Sequence, residues 1–477
     1  MTSAAIIDGE RVHAADGAAV EVFDPADDAV VGTVPSLGGG EVAAAIDSAA
    51  RAFRRWGRET AAARAEILRR WALLLRRDRA SLASGLVREQ GKPHGEAEGE
   101  VDYAASFLEH AAAEGPRHAG SILPSSEPRR RILAWPEPLG VAAVITPWNF
   151  PLAMVTRKLG SALAAGCTAV LKPDHRTPLT ALRAVELAME AGMPRGVINA
   201  VTGEAEAIGE ALLSDPRVRV LSFTGSTRVG RILMAKASRH LIRPCLELGG
   251  HAPFIVFEDA DIEHAVSAAV ACKFRNAGQT CICANRFLVE RGIAGEFSRR
   301  LAAIAGGLPV GRGSAAETRV GPLIDDPGVA KAREHLVDAL DRGASALCGA
   351  KPLRLPGLAD RFVAPAVLEG LDPSMRIWRE ETFGPIAAVR SFGDEAEAVE
   401  LANDSPSGLA AYLFTRDASR LMRVAERLEC GIVGANDATP STAEAPFGGT
   451  KQSGFGREGG RWGLEEFTSV KYLAWGL

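Results

Sequence analysis

Long apolar runs are missing from this chain of 477 residues. No stretch of about 18 apolar residues occurs, the minimum for a membrane-spanning helix. Residues 1–17 are small and polar, with no apolar core preceded by positive charge, so no secretory leader is expected. A basic tail or block is missing too. With 55 Lys+Arg against 59 Asp+Glu the net charge is −4, and nucleic acid is not an expected partner. The short run Arg129-Arg130-Arg131 reads as a solvated turn. Seven cysteines (Cys167, Cys245, Cys272, Cys281, Cys283, Cys348 and Cys430) follow no even, regular framework, and the histidines show no paired metal-ligand spacing. Both absences argue against structural disulfides and zinc, and for a reducing compartment, with the cytoplasm as the expected location. Internal repeats, low-complexity tracts and disordered linkers are likewise absent.

What is present is a globular composition, 47% apolar and 24% charged. The length exceeds one hydrophobic core, so two or three domains are expected. Val42, Ile46, Ala49, Phe53 and Trp56 recur at helical spacing. Ile67, Trp71, Leu74, Leu75, Leu82 and Leu86 do so again after Thr60, predicting a second amphipathic helix. From Leu139 short apolar runs alternate with helical patterns. Strands are expected at 140–145, 168–171, 196–201 and 218–223, with helices at 177–191 and from about 204 to 213. A second series begins near Ala252, with a strand at 254–257 and a helix at 261–274. Such repetition implies mostly parallel sheets covered on both faces. The fold class is therefore α/β, with two units meeting near Gly249-Gly250. Residues 117–138 and 465–477 read as extended pieces outside both units.

The richest stretch is 274–286: Phe274-Arg275-Asn276-Ala277-Gly278-Gln279-Thr280-Cys281-Ile282-Cys283-Ala284-Asn285-Arg286. Cys281 follows a helical pattern in a polar, Gly-containing segment, with arginines six residues before and five after it. Electropositive surroundings lower a thiol's pKa and favour the nucleophilic thiolate; a buried spectator thiol is the alternative. Strand 218–223 runs into Thr224-Gly225-Ser226-Thr227-Arg228-Val229-Gly230 and a helix. That arrangement can bind phosphate through free N–H groups and the helix dipole, although one Gly-x-x-x-x-Gly alone is weak.

Four segments in order, Pro147-Trp148-Asn149-Phe150-Pro151, Leu246-Glu247-Leu248-Gly249-Gly250, the Cys281 segment and Glu380-Glu381-Thr382-Phe383-Gly384-Pro385, resemble the aldehyde dehydrogenase superfamily. The resemblance spans nearly the whole chain. It implies two Rossmann-like domains, a dinucleotide-binding one (1–116 and 139–249) and a catalytic one (250–448). A small β oligomerisation arm (117–138 and 465–477) would make a homodimer or homotetramer. It also implies Cys281 as nucleophile, Asn149 with the Cys281 N–H as oxyanion donors, Glu247 as the base that activates water, and Lys158 and Glu458 as a proton relay. Cofactor contacts map onto Trp148, Lys172, His175, Gly225, Ser226, Glu381 and Phe383. Members preferring NAD tend to carry glutamate where this chain has His175, which is followed by Arg176. NADP is therefore favoured, with NAD also used. Each residue has a plainer alternative: Asn149 fixing a turn, Glu247 a strand-end acid, Glu381 a loop cap.

Segments 273–286 and 149–158 look like the succinate-semialdehyde dehydrogenase group, whose distal-carboxylate contacts correspond to Arg157, Arg275 and Ser441. Planar guanidinium groups suit carboxylates and sulfonates; structural ion pairing is the alternative. The rim departs from the group at Asp437-Ala438-Thr439-Pro440 and Thr442-Ala443-Glu444-Ala445, which leaves glutarate semialdehyde and sulfolactaldehyde open. Two rivals of other kinds are a silent nucleotide-binding structural protein and a CoA-acylating or phosphorylating dehydrogenase. Retention of Cys281 and Glu247 speaks against them. Cys283 would either close a masking disulfide with Cys281, which needs strain or backbone movement, or pack as a spectator.

Overall fold

The computed structural model describes residues 3–477. Helix Gly39–Trp56 begins where the Glu41 carboxylate accepts the Gly38 N–H at 3.0 Å. Helix Ala61–Arg77 begins where Thr60 Oγ1 accepts the Ala63 N–H at 3.2 Å. The single helix expected from Ile67 to Leu86 is in fact two, Ala61–Arg77 and Arg79–Gln90, broken at Asp78. Leu75 and Leu82 stay seven residues apart and both buried, so the apolar period runs through the joint and conceals it. Helix His94–Glu114 follows.

Five parallel strands form the centre of an eight-stranded sheet, in the spatial order Ile198–Ala200, Thr168–Lys172, Val141–Ile145, Val218–Thr224, Arg243–Glu247. Side chains alternate along a strand. Val141 and Ala143 enter one apolar core while Ala142 and Val144 enter another on the opposite face. Each face is covered by helices, among them the wholly buried Ala153–Ala165 on one side and Thr227–Ala237 on the other. The expected strand at 196–201 is trimmed to three residues.

A seven-stranded sheet is built from Ala252–Val256, Ala284–Glu290, Ile386–Phe392, Ala366–Glu369, Ala410–Phe414 and Ile432–Ala435, all parallel, with Ser345–Cys348 antiparallel at one edge. Its core holds Phe254, Phe287, Trp378 and Tyr412. The extended pieces form a third sheet: Thr468–Gly476 pairs antiparallel with Arg130–Pro138, which pairs with Ser121–Leu123. Glu465 itself ends the short helix Gly460–Glu465, so that piece is extended only from Thr468. Ile122, Val470, Tyr472 and Trp475 are exposed on this sheet. Among the described residues no helix is long and apolar enough to cross a membrane.

Candidate active site

Strand order in the first sheet reverses between Val141–Ile145 and Val218–Thr224, and ligands of open parallel sheets bind beyond the carboxyl ends at such a switch. Register aligns those ends: Ile145 lies opposite Lys172 and Phe223, and Thr224 opposite Glu247. Trp148 and Asn149, Lys172, Gly225 and Ser226, and Glu247 therefore leave one edge together. Cys281 and Glu381 stand just before strands Ala284–Glu290 and Ile386–Phe392, at the amino end of the second sheet. Both edges line a cavity of about 280 Å³ that holds Trp148, Asn149, Gly225, Ser226, Cys281, Glu381 and Phe383.

The Cys281 segment is bent into place. Helix Ile262–Phe274 ends, and Asn276 (φ 51°), Ala277 (φ 55°) and Gly278 (φ 76°) take left-handed conformations in succession. Such conformations cost non-glycine residues about 1–3 kcal/mol each and persist only where surroundings impose them. Here the Asn276 N–H donates to Glu96 Oε2 at 2.8 Å and its Nδ2 to the Asn149 carbonyl at 3.0 Å. A Cβ on Gly278 would lie 2.3 Å from the Gly384 carbonyl, and one on Gly250 2.3 Å from the Cys281 carbonyl. Only glycine permits these approaches. Asn149 is buried, and its Nδ2 donates to the Gln279 carbonyl at 3.0 Å, which leaves a second amide hydrogen unused.

The expectation that neighbouring arginines activate Cys281 is corrected. Arg286 turns into the core and donates to the carbonyls of His251, Leu401 and Ala402. Arg275 is exposed, its guanidinium 5.3 Å from the Phe150 ring centroid. Burial pushes the Cys281 thiol up to about 12, Glu381 and Glu247 push the same way, and Arg157 opposes them. Burial likewise lifts Glu381 to about 7. Cys283 is free and buried, its thiol directed at the carbonyls of Lys273 and Ala284 (3.6 Å each).

Glu247 ends its strand buried, with no hydrogen-bond partner on either carboxylate oxygen. Burial, then the charge of Glu458, hold its pKa well above the ordinary carboxylate range against Lys158 and Arg157. Lys158 pairs with Glu458 and reaches Ser222 Oγ at 3.2 Å. The two predicted relay residues are thus one buried ion pair beside Glu247.

On the cofactor side, Ser226 caps helix Thr227–Ala237 by accepting the Val229 N–H at 3.4 Å. The Trp148 and Phe383 rings meet edge to face at 5.6 Å. Glu381 accepts the Gly250 N–H at 3.3 Å, and a Cβ on Gly249 would stand 3.0 Å from its other oxygen, so glycine keeps that gap open. These residues fit a dinucleotide: a capped helix start for phosphate and an open, aromatic-flanked slot for a flat ring. Lys172 is buried with Nζ on the Pro173 carbonyl at 3.2 Å. Of the two cations expected beside it, Arg176 is already engaged by Asp174 (2.9 Å) and Asp325 (2.5 Å). His175 remains, half exposed; burial lowers its pKa against the pull of Asp174.

Arg157 also lines the cavity and is buried. Its guanidinium donates to Ser441 Oγ at 3.2 Å and to Tyr103, and lies 3.7 Å from Glu458 Oε2 between the Phe107 and Phe447 rings. Arg275 also lines the cavity and forms no ion pair among the described residues. Asp437 and Glu444 are exposed and do not line it. Tyr103, whose hydroxyl is 2.5 Å from Ser441 Oγ, and Lys331, whose charge acts on Glu381, were missed. An isolated aromatic and a surface-type lysine carry no motif signal.

Comparison with known proteins shows the family. The aldehyde dehydrogenase family profile matches residues 12–473. The succinate-semialdehyde dehydrogenase [NADP(+)] of Escherichia coli K12 is 49% identical over 99% of this chain and 98% of its own. The glutarate-semialdehyde dehydrogenase of Pseudomonas aeruginosa is 47% identical (99% and 97%). The 3-sulfolactaldehyde dehydrogenase of Pseudomonas putida is also 47% identical (99% and 96%). The solved structure of succinate-semialdehyde dehydrogenase from Burkholderia pseudomallei superposes with a TM-score of 0.98 at 49% identity, covering 100% of this chain and 98% of that one. The chain belongs to the aldehyde dehydrogenase family, with the α/β fold of that family. It is an NAD(P)-dependent aldehyde dehydrogenase of the semialdehyde type.

Proposed function

We propose that this protein oxidises succinate semialdehyde to succinate, with NADP preferred and NAD also used. The observation that carries the reading is one cavity lined together by Cys281 and Asn149, by Trp148, Gly225, Ser226 and Phe383, and by Arg157, Arg275 and Ser441. The minor thiolate form of Cys281, its proton given up to water, attacks the aldehyde carbon, and the free Asn149 amide hydrogen and the Cys281 N–H hold the oxyanion of the thiohemiacetal. A bound nicotinamide would supply the hydride acceptor, and loss of hydride from the thiohemiacetal carbon would leave a thioester on Cys281. Glu381 and Phe383 would hold the nicotinamide ribose, Trp148 its slot, Gly225 and Ser226 the phosphates, and Lys172 and His175 the adenosine ribose. Glu247 then takes a proton from water, which adds to the thioester and releases the acid. Burial makes that carboxylate a stronger base than usual. The Lys158–Glu458 pair beside it would carry the proton away. Arg157, Arg275 and Ser441 grip the distal carboxylate. Arg275 forms no ion pair among the described residues, its charge reaching Glu96 only at longer range, and this favours the clamp role over a structural ion pair.

Glutarate semialdehyde and sulfolactaldehyde are the alternative substrates, since the same clamp accepts a longer acid or a sulfonate and two relatives bear those names. Sheet membership supports the division into a dinucleotide-binding domain (1–116 and 139–249), a catalytic domain (250–448) and an arm (117–138 and 465–477). Exposed apolar residues on the arm support a homodimer or homotetramer. A reducing compartment, the cytoplasm, suits seven free thiols.

The deciding test is purified enzyme assayed on succinate semialdehyde, glutarate semialdehyde, sulfolactaldehyde and butanal, each with NADP and NAD. The expected result is the highest kcat/KM for succinate semialdehyde with NADP. Butanal turned over as efficiently as the anionic aldehydes would overturn the substrate assignment.

A further inference from the structure

The buried pair of Lys92 and Glu100 has no part in the chemistry above, yet it touches the site's most exacting turn. Both side chains are essentially inaccessible, at 0% and 1% exposure. Glu100 belongs to helix His94–Glu114, one turn after Glu96, so both carboxylates lie on one face. Glu100 Oε1 accepts the N–H groups of Leu152 (2.9 Å) and Ala153 (3.2 Å), and its other oxygen pairs with Lys92. Those two N–H groups open helix Ala153–Ala165, whose first residues have no partner within the helix and no cap from the Leu152 side chain. Lys92 Nζ passes the contact on, donating to the Asn149 carbonyl at 2.9 Å and lying 4.3 Å from the Phe150 ring centroid.

Stability alone does not account for such a pair. Desolvating two charges costs about as much as their attraction returns, and apolar residues of like volume are often as stable. A serine or asparagine at position 152 would cap the helix without buried charge. What neither alternative supplies is a donor to the Asn149 carbonyl. That oxygen receives two donors, Lys92 Nζ and Asn276 Nδ2, while the Asn149 side chain is tied to the Gln279 carbonyl. Backbone and side chain are thus fixed separately, and one amide hydrogen is left for the cavity.

We propose that Lys92 and Glu100 are positioning residues: their buried ion pair fixes the turn 149–153 so that the Asn149 amide meets the oxyanion. The proposal rests on the reading of Asn149 as an oxyanion donor. Donors of this kind act only within a few tenths of an ångström of the right place, and misplacement by about 1 Å can cost roughly a hundredfold in rate.

The test is a double-mutant cycle between the pair variant Lys92→Met/Glu100→Gln, which removes both charges at similar volume, and Asn149→Ala. Thermal melting, NADP affinity, KM and the single-turnover rate of cofactor reduction are measured for each. In the pair variant, melting and NADP affinity should stay near wild type and KM should change little. Cofactor reduction should slow about tenfold to a hundredfold. In the Asn149→Ala background the same substitutions should cost less than about threefold, because the group they position is gone. Equal losses in both backgrounds, or an unchanged rate in the folded pair variant, would overturn the proposal. An unchanged rate in Asn149→Ala alone would show that the oxyanion reading beneath it is wrong, and the positioning role would fall with it. Should the pair variant not fold, the isosteric Glu100→Gln enters the same cycle under the same criteria.

Discussion

Replacing Arg275 by alanine tests the recognition of the substrate's distal charge, because that guanidinium is exposed and within the protein only lies over Phe150 and adds to the charge facing Glu96. It is exposed at the cavity, over Phe150, and forms no ion pair among the described residues. A full charge pair at about 4 Å with an effective dielectric near 20 is worth roughly 4 kcal/mol. Desolvation returns part of this, and hydrogen bonds to charged groups net about 1.5–3 kcal/mol. Arg275→Ala should therefore lower kcat/KM for succinate semialdehyde roughly 10- to 150-fold. For butanal the change should stay within about 0.5 kcal/mol, as for an ordinary surface substitution. Arg157→Ala should cost more with the anionic substrate, about 2–5 kcal/mol, but is less clean. Arg157 also neighbours Glu458 at 3.7 Å, donates to Ser441 and Tyr103, and packs between two rings. Some loss with butanal is therefore expected from that variant. Steady-state kinetics on both aldehydes at saturating NADP give the comparison. Equal losses on butanal and succinate semialdehyde in Arg275→Ala would refute the clamp and leave an aldehyde dehydrogenase of unspecified substrate.

Glu247→Gln should give a burst of reduced cofactor near one per active site, followed by turnover slowed about a hundredfold or more, since general-base help contributes roughly 10²–10⁴. Burst and steady state falling together, with no acyl-enzyme in the quenched protein's mass spectrum, would remove Glu247 from hydrolysis. His175→Glu should move the kcat/KM ratio toward NAD about fivefold, the worth of roughly 1 kcal/mol of repulsion between exposed like charges; an unchanged ratio would place cofactor choice elsewhere. Because burial and Glu381 raise the Cys281 thiol to about 12, thiolate is scarce at neutral pH and grows with pH. Alkylation of cofactor-free enzyme, corrected with Cys281→Ala, should rise about tenfold per pH unit between pH 7 and 10 without a plateau. Glu381→Gln removes a negative charge beside the sulfur and should speed alkylation at pH 8. A plateau below pH 9 would contradict the half-buried, unactivated thiol.

Much of this protein was legible in the sequence because its elements carry local signals. Thr60, Glu204 and Asp261 start helices by accepting N–H groups of the next turn, and such caps are written within four residues. The strands Val141–Ile145 and Val218–Thr224 are short apolar runs between polar turns, and buried parallel strands must read that way. Trp148, Asn149, Gly225, Ser226, Cys281, Glu381 and Phe383 could be named together because the segments that hold them resemble those of the aldehyde dehydrogenase family. The facing edges of the two sheets then gather them.

Only the tertiary structure could decide what the neighbours of these residues are. Arg286 is five residues from Cys281 and turns away from it, whereas Arg157, far off in sequence, acts on the thiol. Arg176 is spent on Asp325 across 149 residues, and Tyr103 meets Ser441 across 338. Lys92 and Glu100 look like ordinary surface charges in the sequence and are buried against the Asn149 turn. The reason is physical: strength of charge, pKa and hydrogen-bond partner depend on side-chain direction and on exclusion of water. Chain distance encodes neither; both are set when separate elements close over the same space.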